Sequence, residues 1–400
     1  KQREILYHEL ISHIVKGIRD EVVALRDTRA AFWLNQNCPQ LTDTLVVSLS
    51  MEGNIPEFEG YDAQNACTKG GLGAYFGDKL EGLALAGIPA FGIQPGYSKV
   101  RKQGELLDVD YRELVSNEVL KRVYDADGVP VTLYVYAWDS SDPDNMFKNP
   151  MYEVTVWQLN RGGTRDFLLM APVFDELYTD NRAHRFTQEV VFGKAAYQLM
   201  KRLGIKPDIL HLNEAHTVVA AAQVRADDEF AKTAIVYTNH TLVPAGLEMF
   251  YAGQLQTSVE RMMYQIGLPE SKYEEFKSDF LRADGTVDFC YAAMHLADVI
   301  NAVSDEHAIA TEALFRQLYR DEFSKDVIGV LNGSGKTWKN DALVAIEETG
   351  VPVSRQQLVD IHARGKAEAF AEIALRSGRM LDPDLPTVWA VRRLVDYKSQ

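Results

Sequence analysis

Ile11, Ile14, Val15 and Ile18 recur at helical spacing among charged residues, so the chain is expected to open on a helix over 5–33. An apolar run predicts a strand at 44–49, and 53–66 reads as a polar, proline-containing loop. Gly70, Gly71 and Gly73 then stand directly before a predicted helix carrying Phe76, Leu80, Leu83 and Ala84. Over 129–138 and 152–159, β-branched and aromatic residues dominate on either side of the polar segment 139–149. That pattern predicts paired antiparallel strands, to which 165–170 adds a third. Val191, Ala195, Leu199 and Leu203, four residues apart, predict a helix over 188–203.

From there a βα rhythm takes over. Strand-like runs at 208–212, 234–238, 299–303 and 327–331 alternate with helices expected to begin near Glu214, Gly246, Phe289, Ala308 and Asn340; another helix is expected over 356–378. The alternation predicts a mostly parallel α/β sheet with helices on both faces. Pro383 and Pro386 break the chain before a new strand over 387–391. Ligands of open parallel sheets bind where strands end and loops diverge, so site residues are expected just after strands.

Composition narrows the function. Four hundred residues, 46% of them hydrophobic, suffice for one large α/β core or two ordinary ones. A formal net charge of -15 repels nucleic acid and anionic membranes overall, while a small basic pocket can still be focused inside that field and a sugar or a small phosphate stays an easy partner. Cys38, Cys67 and Cys290 lack metal-ligand or redox spacing and read as buried free thiols in a reducing compartment. No run approaches the roughly 18 apolar residues of a membrane span, and no signal peptide is expected. A soluble, cytoplasmic protein is expected.

Four segments carry chemistry. The loop Gly70-Gly71-Leu72-Gly73 lets a ligand approach the backbone, and the helix behind it adds positive potential for a phosphate; a simple tight turn is the alternative. In His211-Leu212-Asn213-Glu214-Ala215-His216, the two histidines lack the spacing of a helical zinc motif, so no metal is expected. Asn213, Glu214 and His216 line the crevice or cap the following helix. In Tyr237-Thr238-Asn239-His240-Thr241, His240 either donates to a sugar oxygen or steadies a carbonyl. Gly333-Ser334-Gly335-Lys336-Thr337 mimics a nucleotide-binding P-loop but has Val330 where the first glycine belongs. Near the C-terminus Arg392, Arg393 and Lys398 gather cations beside Tyr397, a set suited to a dianionic phosphate.

Together with Leu49-Ser50-Met51-Glu52, Gly87-Ile88-Pro89, Arg185-Phe186-Thr187-Gln188-Glu189, Asn301-Ala302-Val303-Ser304 and Asn332-Gly333, these segments resemble, in order, the α-glucan (glycogen, starch or maltodextrin) phosphorylases. The resemblance runs from about residue 44 to the end and implies a two-domain glycosyltransferase architecture of GT-B type. Residues 1–385 would form the N-terminal catalytic domain, with a β insertion near 129–170, and 386–400 would begin a C-terminal domain largely absent from this chain. It also implies phosphorolysis of terminal α-1,4-glucosidic bonds with retention, releasing α-glucose 1-phosphate. The cofactor implied is pyridoxal 5'-phosphate, its Schiff-base lysine lying beyond residue 400, so the fragment alone is expected to be inactive.

By the same resemblance, Gly70 to Gly73 surround the phosphate and the glucosyl unit, and Gly71 also borders the cofactor. His240 and Asn332 bind the glucosyl unit, Arg393 and Lys398 bind substrate phosphate, Arg392 lies near the cofactor phosphate, and Tyr397 lines the sugar site. Partners would be an α-glucan or maltooligosaccharide, inorganic phosphate and glucose 1-phosphate, without nucleic acid or membrane, in a homodimer. Residues 171–184 form a shorter loop than the family carries, and Arg392 replaces its usual lysine. Two rival readings stand beside this one. Lys69 before the glycines resembles the Lys-x-Gly-Gly-Leu signature of starch and glycogen synthases, less its intervening residue, and points to a nucleotide-sugar-dependent glycosyltransferase. The short loop fits a non-catalytic glucan-binding relative.

Overall fold

A computed structural model describes residues 29–102, 104–125, 127–138, 151–161, 164–243, 247–255, 257–333, 335 and 340–387. The chain forms two compact units, Lys1–Gly333 and Ser334–Gln400. Most of the expected first helix, the 387–391 strand beyond Thr387, and Arg392, Arg393, Tyr397 and Lys398 lie outside the described residues.

In the first unit the strands are β1 (Val46–Ser50), β2 (Ala90–Pro95), β3 (Lys99–Lys102), β4 (Glu105–Asp108), β5 (Lys121–Arg122), β6 (Thr132–Tyr136) and β7 (Met151–Arg161). They continue with β8 (Thr164–Met170), β9 (Ile209–Asn213), β10 (Ala234–Asn239), β11 (Met249–Tyr251), β12 (Thr286–Asp288), β13 (Val299–Ala302) and β14 (Val327–Gly329). The main sheet runs β14-β13-β10-β9-β1-β2-β8-β7-β5, with β6 also on β7. Pairing is parallel from β14 to β8 and antiparallel beyond it. The expected third antiparallel strand, β8, is therefore the joint: it lies parallel to β2 and antiparallel to β7.

β2 is absent from the pattern reading because glycine and proline dilute its apolar run. All six of its residues are nevertheless buried, since it lies between β1 and β8. A Cβ at Gly92 would come within 2.1 Å of Asp166 Oδ1 and 2.7 Å of Leu80 Cδ1, so glycine is what lets the covering helix and β8 close over this strand.

The helix expected near Gly246 gives way to a strand. Residues 244–246 lie outside the described set, and 249–251 form β11, paired with β12. Burial there alternates with period two: Phe250 is buried against Phe186 and Phe289 while Tyr251 is exposed. The next helix is Val259–Ile266, followed by an unforeseen one at Glu270–Phe280. The helix expected from Glu214 starts at Val218, after one 3-10 turn.

The helix predicted over 188–203 begins earlier, as Arg182–Leu203. Asn181 caps it by accepting from the amides of Ala183 and His184, and Gly204 ends it at φ 58°. This helix is buried along most of its length, which hides the amphipathic signal expected of a surface helix. In the second unit, Asn340 caps Asp341–Glu348, and a Ser354/Gln357 capping box starts Arg355–Ser377. Among the described residues no helix is long and apolar enough to cross a membrane.

Candidate functional site

From β1 the chain crosses to β2 on one side, while β9 pairs on the other. The carboxyl ends of β1 and β9 thus diverge at a switch point, where connections leave a crevice. Beyond β1 lies buried Glu52, whose Oε2 accepts the Lys69 amide at 3.0 Å and ties the strand end to the glycine loop.

The helix Gly71–Ala86 starts inside that loop. Gly70 and Gly71 are exposed, Leu72 is half-buried and Gly73 is buried. A Cβ at Gly70 or Gly71 meets no atom within 4 Å, so the protein's own packing does not demand glycine there. What glycine provides at these two positions is close access to the first amides of a helix, which carry positive potential. At Gly73 a Cβ would crowd the Thr68 side chain at 3.2 Å. The Lys69 ammonium turns away from the loop, donating to Leu177 O and lying 3.5 Å from Glu176 Oε1.

The ends of β9 and β10 lock together through polar side chains. His240 Nε2 donates to Asn213 Oδ1 at 2.8 Å, and Asn213 Nδ2 donates to Ser50 Oγ at 3.1 Å. Glu214 Oε1 accepts from the His240 amide at 3.0 Å and from Thr241 Oγ1 at 2.7 Å. Tyr75, in the opening turns of the glycine-loop helix, packs edge-on against the His240 ring at 4.9 Å, so these strand ends and the loop share one place. Glu214 itself adopts φ 71°, ψ 166°, a region that is essentially glycine-only and costs about 1–3 kcal/mol for other residues. Its carboxylate bonds hold it there.

His216 sits in a different setting, a buried charge cluster. Its Nε2 donates to Glu248 Oε1 at 3.1 Å. Arg185 donates to Glu189 Oε1 at 3.1 Å and also to Glu248 Oε1, while Arg182 Nη1 reaches Glu248 Oε2 at 3.2 Å. Tyr178 lies 4.8 Å from the Arg185 guanidinium and 5.7 Å from the His216 ring. Burial works against charge on Glu248, yet Arg185 and the His216 hydrogen bond hold its carboxyl low. Burial and the neighbouring Glu248 charge push Glu189 up. Burial opposes protonation of His216, but the Glu248 hydrogen bond and charge outweigh it and raise the imidazole. The ligand atoms of Glu189, His216 and Glu248 lie within 4.8 Å of one another, a spacing that suits a cation. Arg185 already bonds both carboxylates and supplies that charge.

Beneath the crevice a hydrogen-bonded chain crosses four strands. Lys79 Nζ donates to Ser48 Oγ at 2.6 Å and to His211 Nδ1, His211 Nε2 donates to Thr238 Oγ1 at 2.6 Å, and Thr238 donates to Asn301 Oδ1 at 2.6 Å. Burial drives Lys79 well below its ordinary value, and burial with the Lys79 charge drives His211 well down.

Burial, with the His307 and Lys79 charges, also lowers His240 to about 3. The unfolded chain takes up a proton near 6.5, so stability held above that pH is lost as pH falls toward about 3. His240→Asn should remove up to about 1.4 kcal/mol per pH unit from that slope. Chemical denaturation from pH 6.5 to 4 reads this, and equal slopes for variant and parent would refute it.

Gly70 to Gly73, Asn213, Glu214 and His240 are thus brought together, with His216 buried among charges beside them. Asn332 is exposed beyond the edge strand β14, its amide donating to Val303 O at 3.2 Å. Tyr75, Lys79, Tyr178 and Glu248 carry no sequence signal of a role. Arg185 and Glu189 bound one of the segments that carry the resemblance and form an i,i+4 pair of opposite charge on a helix, but neither signal shows the cluster they join.

A family model described as the starch synthase catalytic domain matches residues 63–317. Maltodextrin phosphorylase of Thermococcus litoralis is 25% identical over 334 residues, 78% of this chain and 38% of that protein. Glycogen phosphorylase of Aquifex aeolicus is 23% identical over 393 residues, 82% of this chain and 55% of that protein. Glycogen synthase 2 of Geobacter sulfurreducens is 27% identical over 247 residues, 59% of this chain and 45% of that protein. The chain therefore spans about half the length of these relatives, or less.

The catalytic domain of starch synthase IV from Arabidopsis thaliana, bound to ADP and acarbose, matches with a TM-score of 0.50 at 17% identity, over 74% of this chain and 52% of that one. The likeness shows the expected α/β fold of GT-B type. The expectation of pyridoxal 5'-phosphate is overturned, because the matching family is that of starch synthase catalytic domains and the matched structure carries ADP and acarbose instead. Relatives of both phosphorylase and synthase type surround a chain that itself belongs to the starch synthase catalytic domain family.

Proposed function

We propose that this chain supplies the glucan-side domain of a nucleotide-sugar-dependent glucosyltransferase that extends an α-1,4-glucan. One observation carries the reading: the exposed Gly70-Gly71 start of a helix lies beside a wall of uncharged polar groups, joined through the 4.9 Å contact of Tyr75 with His240. The helix start suits the diphosphate of a sugar nucleotide. Asn213 and His240, locked to each other, suit glucose hydroxyls, since their orientation is set before a ligand arrives. In the reaction an acceptor hydroxyl of the glucan forms the new bond to the anomeric carbon, its proton is lost, and the bond to the nucleoside diphosphate breaks. The membership in the starch synthase family supports this order of events over hydrolysis.

A second reading, phosphorolysis of the same linkage, is favoured by the longer match to maltodextrin phosphorylase, 78% of this chain against 59% for glycogen synthase 2. The two separate in one experiment on the full-length protein. With maltooligosaccharide and either ADP-glucose or UDP-glucose, the products should be a lengthened oligosaccharide and an equal amount of nucleoside diphosphate. Glucose 1-phosphate formed from maltooligosaccharide and inorganic phosphate, with no use of either sugar nucleotide, would replace the first reading by the second.

A further inference from the structure

Lys69 stands directly before the glycines, one residue nearer to them than in the Lys-x-Gly-Gly-Leu signature. The backbone is extended here, with Thr68 at φ -131°, ψ 125° and Gly70 at φ 179°, ψ -159°. Neighbouring side chains of an extended segment point to opposite sides. Thr68 accordingly faces Gly73, its methyl 3.2 Å from where a Cβ would stand, and its hydroxyl donates to Gly53 O at 2.6 Å. Lys69 turns the other way; dropping the intervening residue of the signature is what reverses it.

On that side the lysine closes a ring of contacts. Its amide donates to Glu52 Oε2 at 3.0 Å, and its ammonium donates to Leu177 O and lies 3.5 Å from Glu176 Oε1. Next to Leu177, Tyr178 adopts φ 56°, a left-handed conformation that a bulky residue seldom takes and keeps only where its surroundings over-determine it. Burial, then the Glu52 charge and hydrogen bond, push the Tyr178 phenol well up, so Tyr178 leads back to the carboxylate that holds the Lys69 amide. Glu176 is clamped from outside. Arg101 Nε and Nη2, on β3, donate to its two oxygens at 2.9 and 2.8 Å. Those hydrogen bonds, opposed by burial and helped by the Lys69 charge, hold its carboxyl below the ordinary range.

We propose that Lys69 is a positioning residue, which fixes the start of the glycine-loop helix against the segment 171–181 and does not itself bind the diphosphate. The proposal rests on the nucleotide-sugar reading of the crevice and assigns the diphosphate to the backbone amides of the loop. Charge grows on the departing diphosphate as its bond to the sugar breaks, so donors fixed in advance count most in the transition state. A loop without its brace still offers those amides but has to be reordered for each transfer. Turnover therefore falls while binding of the nucleotide changes little. A lysine touching the diphosphate would act differently, because its charge-assisted contact would already exist in the bound substrate and in the departing product. Arg101 acts from further off, through Glu176.

The test measures glucosyl transfer by the full-length protein to maltotriose from ADP-glucose or UDP-glucose, together with inhibition by the matching nucleoside diphosphate. Lys69→Met should lower kcat about tenfold, with KM for the sugar nucleotide and the inhibition constant within about threefold of the parent. Glu176→Ala should do much the same. The double variant should be no more than about twofold slower than the slower single one, because both cut the same set of contacts. Should Glu176→Ala fail to fold, Arg101→Gln replaces it in the cycle, since that side chain is 48% exposed. Inhibition weakened tenfold or more by Lys69→Met, with losses that multiply in the double variant, would make the lysine a diphosphate ligand and overturn the proposal. Parent-like kcat in every variant overturns it as well and leaves the crevice reading standing. A parent that transfers from neither sugar nucleotide overturns both.

Discussion

Glu248→Ala is expected to lower the free energy of unfolding by about 3–5 kcal/mol, the cost of stripping one partner from a buried ion cluster. Its carboxylate is buried and accepts from Arg182, Arg185 and His216. Removing it leaves two guanidinium groups and an imidazole facing a cavity, and of these Arg185 keeps its pairing with Glu189. Glu248→Gln keeps the volume and one acceptor, so its loss should be smaller. Urea denaturation near pH 7 measures both, and a change below about 1 kcal/mol for the alanine variant would show that the cluster does not hold these elements together. Acid should mimic the substitution. Because the folded carboxyl is held below its ordinary value, its contribution is present at neutral pH and disappears as pH falls through the folded value.

Glu214→Ala is expected to slow glucosyl transfer about 10²-fold, the scale of losing placement of a binding group by an ångström or so. Both the His240 amide and Thr241 Oγ1 hang on Glu214 Oε1, so the carboxylate sets where the β10 loop stands. Glu214→Gln retains that oxygen and should stay within about tenfold. Glu214→Gly separates two roles of the residue. Glycine relieves the strain at φ 71°, so this variant should be about 1 kcal/mol more stable than Glu214→Ala, yet equally slow. Equal turnover of the alanine variant and the parent would show that the loop holds its place without Glu214.

The parallel half of the sheet was legible because β9, β10 and β13 are short apolar runs bounded by polar residues, and a buried parallel strand needs little else. β2 and β11 were hidden for opposite reasons. β2 spends two of its six positions on a proline and on Gly92, which its neighbours require, and β11 is a three-residue strand whose pairing with β12 no local pattern announces. In the crevice, residues at strand ends could be found from the chain, since the topology guarantees that they converge. Glu248 and Tyr178 could not, because their place depends on which loop folds back over which strand end. The cofactor expectation failed at another level. The chain is similar to relatives of both phosphorylase and synthase type, so a resemblance carried by strand-end segments does not specify how the departing group is activated.

The pairing of β1 with β9 joins residues 163 positions apart in the chain. At about 5–20 residues per second, a ribosome needs roughly 8–30 s to deliver the second partner after the first. Throughout that interval the unpaired N–H and C=O groups on one edge of β1 await their neighbour, although β2 can already cover the other edge. The nascent protein therefore passes through a long window in which association with other chains competes with its own completion, and a lower growth temperature or a holding chaperone should raise the yield of active material.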